Sequence, residues 1–80
     1  MSKKSDPGAV PFAGWTSDGW TLRTHTGYET TISGPRSAVV DDLRQSMPAW
    51  YRLAVGEGGS PELATMLNRE ADAMRIEVQS

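Results

Sequence analysis

The sequence predicts an α+β fold. An N-terminal antiparallel β-meander of about three strands is covered on one face by two to three C-terminal helices. Three observations carry this. Residues 20–32 hold two short runs rich in Thr, aromatic and β-branched residues on either side of a glycine-containing turn. Asp18-Gly19 just before them is a second turn signal. Beyond residue 35 the apolar residues recur at helical spacing, and Ser60-Pro61-Glu62 reads as a helix start.

The hairpin is the sharpest of these elements. A two-residue loop at Thr26-Gly27 would pair Leu22 with Thr31 and Thr21 with Ile32, splitting the apolar residues between the two faces. A three-residue loop, His25-Thr26-Gly27, pairs Thr24 with Tyr28, Leu22 with Thr30 and Trp20 with Ile32 on one apolar face. It sets Arg23 against Glu29 and Thr21 against Thr31 on the other. It also places Gly27 where the loop needs a left-handed residue. The three-residue loop is therefore expected.

A preceding strand, Phe12-Ala13-Gly14-Trp15-Thr16, leads into Ser17-Asp18-Gly19. Two registers compete. With Asp18-Gly19 as a two-residue turn, Trp15 pairs with Leu22 and faces the core. With Ser17-Asp18-Gly19 as the loop, Phe12 and Gly14 face the core and Trp15 points away. The first is preferred. Residues 1–9 are polar and small and contain the Pro7-Gly8 break. They read as a flexible tail, with residues 10–80 as one domain whose packing starts at Val10 or Phe12.

Ser33-Gly34-Pro35 ends the sheet. Val39, Val40, Leu43 and Met47 then follow helical spacing, and Pro35 or Ser37 marks the start. Asp41 and Asp42 fall in early turns, where the helix dipole favours acids. Pro48 removes a backbone donor and clashes with the turn before it, so either one helix kinks there or a second short helix starts with Ser46 as cap; the break is preferred. A second short helix would then carry Trp50, Tyr51, Leu53, Ala54 and Val55. Gly56-Glu57-Gly58-Gly59 closes the segment as a flexible stretch. The last helix starts at Ser60 and carries Leu63, Met66, Leu67, Ala71 and Met74 on one stripe. Met74, Ile76 and Val78 also alternate as a strand would, and the helix is extended to about Ile76.

Composition narrows the function classes. A chain of 80 residues is one domain, and folding at that size buries only about 60% of its surface. There is no cysteine, which excludes disulfides and Cys-based zinc sites and suits a reducing compartment. No apolar run follows the basic residues Lys3 and Lys4, so no signal peptide is read, and no segment is long enough to span a membrane. A cytoplasmic protein with no membrane partner is expected. The chain begins with Met1 and is read as a complete small gene product. The net charge of −2 fits neither a strongly basic nucleic-acid binder nor an acidic mimic of DNA.

Catalytic chemistry has little to stand on. His25 is the only histidine and lies in a hairpin loop, where a polar residue is expected in any case. Asp41 and Asp42 point about 100° apart on a helix and do not converge on a ligand. The Gly56–Ser60 stretch lacks the lysine and spacing of a phosphate loop. No catalytic residue, metal site or cofactor is expected, and the protein is read as a non-enzyme. An enzyme subunit using His25 and a nearby carboxylate is the weakest alternative.

Protein binding has positive support. Three Trp in a chain this short is generous, and Trp, Tyr and Arg dominate interface hot spots. Trp50, Tyr51 and Arg52 stand side by side; the plain alternative is that both rings pack and the Tyr hydroxyl reaches the surface. Arg23 and Glu29 on the open sheet face, together with Trp15, complete the candidate protein-binding set. An exposed edge strand offers strand addition as a second route, and a homodimer is compatible with so small a core. A binding protein that occupies a partner's surface is therefore expected. Its sharpest form is a phage- or plasmid-encoded inhibitor of a bacterial defence or regulatory complex. A small nucleic-acid-binding regulator is the alternative. Against it, Arg23 is expected to be engaged by Glu29, and Arg36, Arg44 and Arg52 spread around a helix rather than forming one stripe.

Overall fold

The computed structural model describes residues 10–78. Strands β1 (Phe12–Thr16), β2 (Gly19–Arg23) and β3 (Glu29–Ile32) form an antiparallel sheet in the order β1-β2-β3. Helices α1 (Arg36–Val55) and α2 (Pro61–Met74) follow. The protein is thus α+β, with an N-terminal meander and C-terminal helices. The tail proposed for residues 1–9 lies outside the described residues.

The β2–β3 hairpin takes the three-residue loop. Trp20 pairs with Ile32, Thr21 with Thr31, Leu22 with Thr30 and Arg23 with Glu29. The Thr24 N–H donates to the Tyr28 carbonyl at 2.8 Å, and the Gly27 N–H donates to the Thr24 carbonyl at 3.1 Å. Gly27 adopts φ 99°, a region an L side chain resists. The apolar face is less complete than its pattern. Trp20 and Leu22 are fully buried, whereas Tyr28 on the same face is 57% exposed.

The β1–β2 register is neither of the two expected. The turn is Ser17-Asp18, with Thr16 opposite Gly19, Trp15 opposite Trp20 and Ala13 opposite Leu22. Trp15 therefore shares the helix-side face, as preferred, but its partner is Trp20 rather than Leu22. Gly19 belongs to the strand and explains the shift. At φ 138° it lies beside β3, where a Cβ would collide with the Ile32 carbonyl oxygen. The glycine is needed for close approach of two strands and not for the turn. The Thr16 hydroxyl instead organises the turn, accepting from the Asp18 N–H at 3.2 Å and donating to the Gly19 carbonyl at 3.0 Å. Val10 is 72% exposed and Phe12 is half-buried, so packing begins after Val10.

The expected break at Pro48 is absent: α1 runs as one helix of 20 residues through it. Proline costs about 3 kcal/mol inside a helix. Both flanks repay this. Val39, Leu43 and Met47 are buried before it and Ala54 after it, at roughly 1.5–3 kcal/mol for each large side chain. No acid lies in the first turn of α1, since Asp41 and Asp42 sit further in. In α2, Ser60 caps the start by accepting from the Leu63 N–H at 3.2 Å, with Pro61 as first residue and Glu62 in the first turn.

Helix α2 ends at Met74, before the expected Ile76. Arg75 turns left-handed at φ 59° and ψ 43°, and the Ile76 N–H reaches back to the Ala71 carbonyl at 2.7 Å. This reversal folds Ile76 into the core at 7% exposure, which accounts for its apolar character without helix or strand. The core joins Trp20 and Leu22 of the sheet to Leu43, Met47, Leu63 and Leu67 of the helices. Helix α2 packs against β1, and α1 packs against α2.

Candidate functional site

The residues singled out for protein binding are dispersed by the fold over three surfaces. On α1, successive side chains turn by about 100°. Trp50 therefore points toward the sheet, where its ring stacks on Trp20 at 5.8 Å with the planes 6° apart. Trp20 is itself fixed by its indole N–H, which donates to the Glu70 carboxylate at 3.3 Å. Tyr51 leans toward α2, and its hydroxyl accepts from the Asn68 amide at 3.4 Å. Arg52 is exposed. Both aromatic residues are half-buried, and packing accounts for the buried half of each.

Arg23 and Glu29 meet on the open sheet face at 3.4 Å, both with substantial solvent exposure. Arg23 also donates to the Val10 carbonyl at 3.4 Å. Beside them runs a hydroxyl row, with Thr16 to Thr21 at 3.2 Å and Thr21 to Thr31 at 3.0 Å. The Phe12 ring lies over Gly14, where a Cβ would sit 3.3 Å from its Cζ. The charge of Arg23 on this face is compensated by Glu29, which gives a phosphate backbone little to bind. Trp15 stands at the rim of the opposite face, 37% exposed, with the Arg36 guanidinium 4.9 Å from its ring centroid.

Two cavities flank the junction between the helices. The first, about 510 Å³, opens where α1 ends and α2 begins; Ala54, Val55, Gly56, Gly59, Pro61 and Ala64 are among the residues that line it. None of its lining residues is ionisable. Its shape depends on the glycines, because a Cβ on Gly59 would strike the Ala54 carbonyl oxygen. The stretch expected to be flexible is held by hydrogen bonds: Gly56 to the Arg52 carbonyl at 2.9 Å, Gly59 to the Gly56 carbonyl at 2.9 Å and Ser60 to the Ala54 carbonyl at 2.8 Å. Val55 stands on the wall, 53% exposed. This cavity was not foreseen. The signal was four glycine-rich residues joining two apolar helices, which sequence reasoning took for slack.

The second cavity, about 460 Å³, brings His25 together with Val10, Pro11, Ser60, Pro61 and Glu62. His25 was expected at an exposed tip, but it is half-buried because the hairpin loop leans toward the start of α2. Its Nδ1 is buried and has no hydrogen-bond partner. Glu62 lines the same cavity, so an imidazole and a carboxylate share it. The hydroxyl of Ser60, in the same wall, is occupied in capping α2. Among the described residues no cluster of three or more His, Asp or Glu side chains is placed to hold a metal ion. Among the same residues no helix is long and apolar enough to cross a membrane.

No family model matches this chain, and no curated protein or solved structure matches it significantly.

Proposed function

We propose that this chain is a non-catalytic binding protein that acts by covering a partner protein's surface, with the cavity at the α1–α2 junction receiving an apolar side chain of that partner. The observation that carries the reading is the cavity itself, about 510 Å³, open and lined without an ionisable group beside a half-exposed Val55. Pockets of this kind are where interface anchors insert, and burying one aliphatic or aromatic anchor contributes roughly 1.5–3 kcal/mol. The candidate residues on α1 extend this surface. Tyr51 is four residues and Arg52 three residues before Val55, so all three border one side of the helix. In its sharpest form the protein is a phage- or plasmid-encoded inhibitor of a bacterial defence or regulatory complex. Small size supports that form; no individual residue does.

Val55→Glu tests the site with little risk to folding, since the side chain is already half in water. Immobilised wild-type protein is expected to hold one stoichiometric partner from bacterial lysate at high salt, and Val55→Glu to weaken that capture by about tenfold or more. Capture indifferent to Val55→Glu removes the proposed site. Binding only to nucleic acid, and only at low salt, removes the protein-binding reading in favour of the nucleic-acid one.

A further inference from the structure

The two helices cover only part of the sheet. On the helix side, β2 and its extension are sealed, with Trp20 and Leu22 at 0% exposure and Thr24 at 1%. Ala13 of β1, beneath α2, is 5% exposed. Strand β3 and the residue before it are not sealed on that same side: Tyr28 is largely exposed, and Thr30 and Ile32 are half-buried.

The outer edge of β3 is open as well. Thr24 and Tyr28 form the bonded pair that closes the hairpin. Bonded and non-bonded pairs alternate in an antiparallel ladder, so Thr30 and Ile32 turn their N–H and C=O groups toward β2, and Glu29 and Thr31 turn theirs outward. Among the described residues, none of these outward groups has a backbone partner. The usual protections of an edge are missing here. The strand contains no proline and no lysine, and its one charge, Glu29, is engaged by Arg23.

From this we infer that β3 pairs with β3 of a second copy of the chain, antiparallel and centred on Thr30, to give a continuous six-stranded sheet. The sequence Tyr28-Glu29-Thr30-Thr31-Ile32 is complementary to its own reverse. Centring on Thr30 sets Tyr28 against Ile32 of the second copy, and Ile32 against its Tyr28, so both half-covered apolar residues gain an apolar neighbour. Such aromatic and β-branched pairs are among the favourable cross-strand contacts. Glu29 falls opposite Thr31 on the open face, and these are the outward-facing residues whose backbones must bond. The neighbouring symmetric registers do worse. Centring on Glu29 puts two carboxylates opposite each other, and centring on Thr31 places Tyr28 opposite Gly34. The pairing is isologous, and the two-fold axis runs perpendicular to the sheet, so the helices of both copies lie on one side. The occupant is a second copy because the segment Tyr28–Ile32 matches its own reverse in the register that its outward-facing residues require. The pairing uses none of the residues that line the α1–α2 cavity, so either reading can fail without the other.

The chain has no cysteine, so single replacements report the register directly. Thr30 would face its own copy as a non-hydrogen-bonded pair, with Cα atoms about 4.5 Å apart, within disulfide reach. Under mild oxidation Thr30→Cys is expected to form a covalent dimer, while Glu29→Cys and Thr31→Cys, each offset from its own copy, cross-link far more slowly. Thr31→Pro removes two outward N–H donors per dimer and no backbone bond to β2; it also loses the Thr31 hydroxyl contact with Thr21, which Thr31→Val removes alone as the control. Thr31→Pro is expected to melt like the Thr31→Val monomer and to dimerise on the order of thirtyfold more weakly in sedimentation equilibrium. A wild-type chain that stays monomeric at hundreds of micromolar overturns the proposal. So does equal cross-linking at positions 29, 30 and 31, and so does a dimer that survives Thr31→Pro unchanged. An edge that binds an unrelated peptide but not itself also overturns it.

Discussion

Strands β1 and β3 flank β2 as the two edges of one sheet, yet they live in different environments. Strand β1 presents the small residue Ala13 to the helix side, where it is buried, with α2 packed against the strand. Strand β3 presents Thr and Ile, residues better suited to a strand, and no residue in it is buried. On the helix side, burial thus follows where the helices lie and not how hydrophobic each strand is. Helix α2 comes close over Ala13 of β1. Helix α1 meets the sheet through the long Trp50 side chain, which reaches Trp20. A sheet of three strands is narrow, and two helices of this placement still leave its third strand short of cover.

The largest effect should separate a covered residue from an uncovered one on the same face. Trp20→Ala removes a fully buried indole, its stack with Trp50 and its bond to Glu70. The expected loss is about 3–5 kcal/mol, against a total stability on the order of 4–12 kcal/mol for a domain this size. Tyr28→Ala, four residue pairs along the same hairpin, should cost under about 1 kcal/mol in dilute solution. Urea unfolding of the two variants side by side decides the matter. Similar losses would mean that β3 is covered after all, and the contrast between the edges would collapse.

The turns at the two ends of β2 sharpen the contrast next. Gly19 combines φ 138° with a backbone wall, whereas Gly27 combines φ 99° with open space. Gly19→Ala has both a strained conformation and a clash with the Ile32 carbonyl, so the β1–β2–β3 packing must shift. A loss above about 2 kcal/mol is expected. Gly27→Ala meets only the conformational term, roughly 1–2 kcal/mol. Thermal melts that rank Gly27→Ala as the worse of the two would contradict the observed register of β1.

That register also marks how far the sequence could be read. The β2–β3 hairpin was legible because its alternation admits one loop length that gathers Trp20, Leu22, Tyr28 and Ile32 on one face. Strand β1 was legible in its bounds but not in its register, because Gly19 was credited to the turn; that it lies against the β3 backbone is a tertiary fact with no local signature. Pro48 misled for a related reason. Its local cost was visible, while the burial of Met47 and Ala54 on either side, which outweighs it, depends on α2 and the sheet. Of the candidate site the sequence showed residues but not the cavity: none of Trp15, Arg23, Glu29, Trp50, Tyr51 and Arg52 is among the described residues that line it, and it exists only because Gly59 lets the chain return against the end of α1. Exposure of the β3 edge was legible from its terminal place in the meander, and its self-matching sequence became informative once the outward-facing residues were known.

The smallest effect concerns the element that makes the covered side covered. Helix α2 is stopped by a left-handed residue, and that residue is Arg75, where glycine is the usual occupant. Two bonds depend on the geometry, from the Arg75 N–H to the Asp72 carbonyl at 3.2 Å and from the Ile76 N–H to the Ala71 carbonyl at 2.7 Å. Glycine keeps both and removes the contact between Cβ and the following carbonyl, a cost of about 1–2 kcal/mol. Its greater freedom in the unfolded chain takes back part of that gain. Arg75→Gly is therefore expected to stabilise the protein by about 0.5–1 kcal/mol, a rise in Tm of roughly 2–8 °C for a domain of this size. Since Arg75 is exposed and outside β3, the cross-linking of Thr30→Cys should not change in the same background. A fall in Tm would show that the arginine side chain holds α2 in a way the backbone does not. A change in cross-linking would show that the two edges of the sheet are coupled through α2.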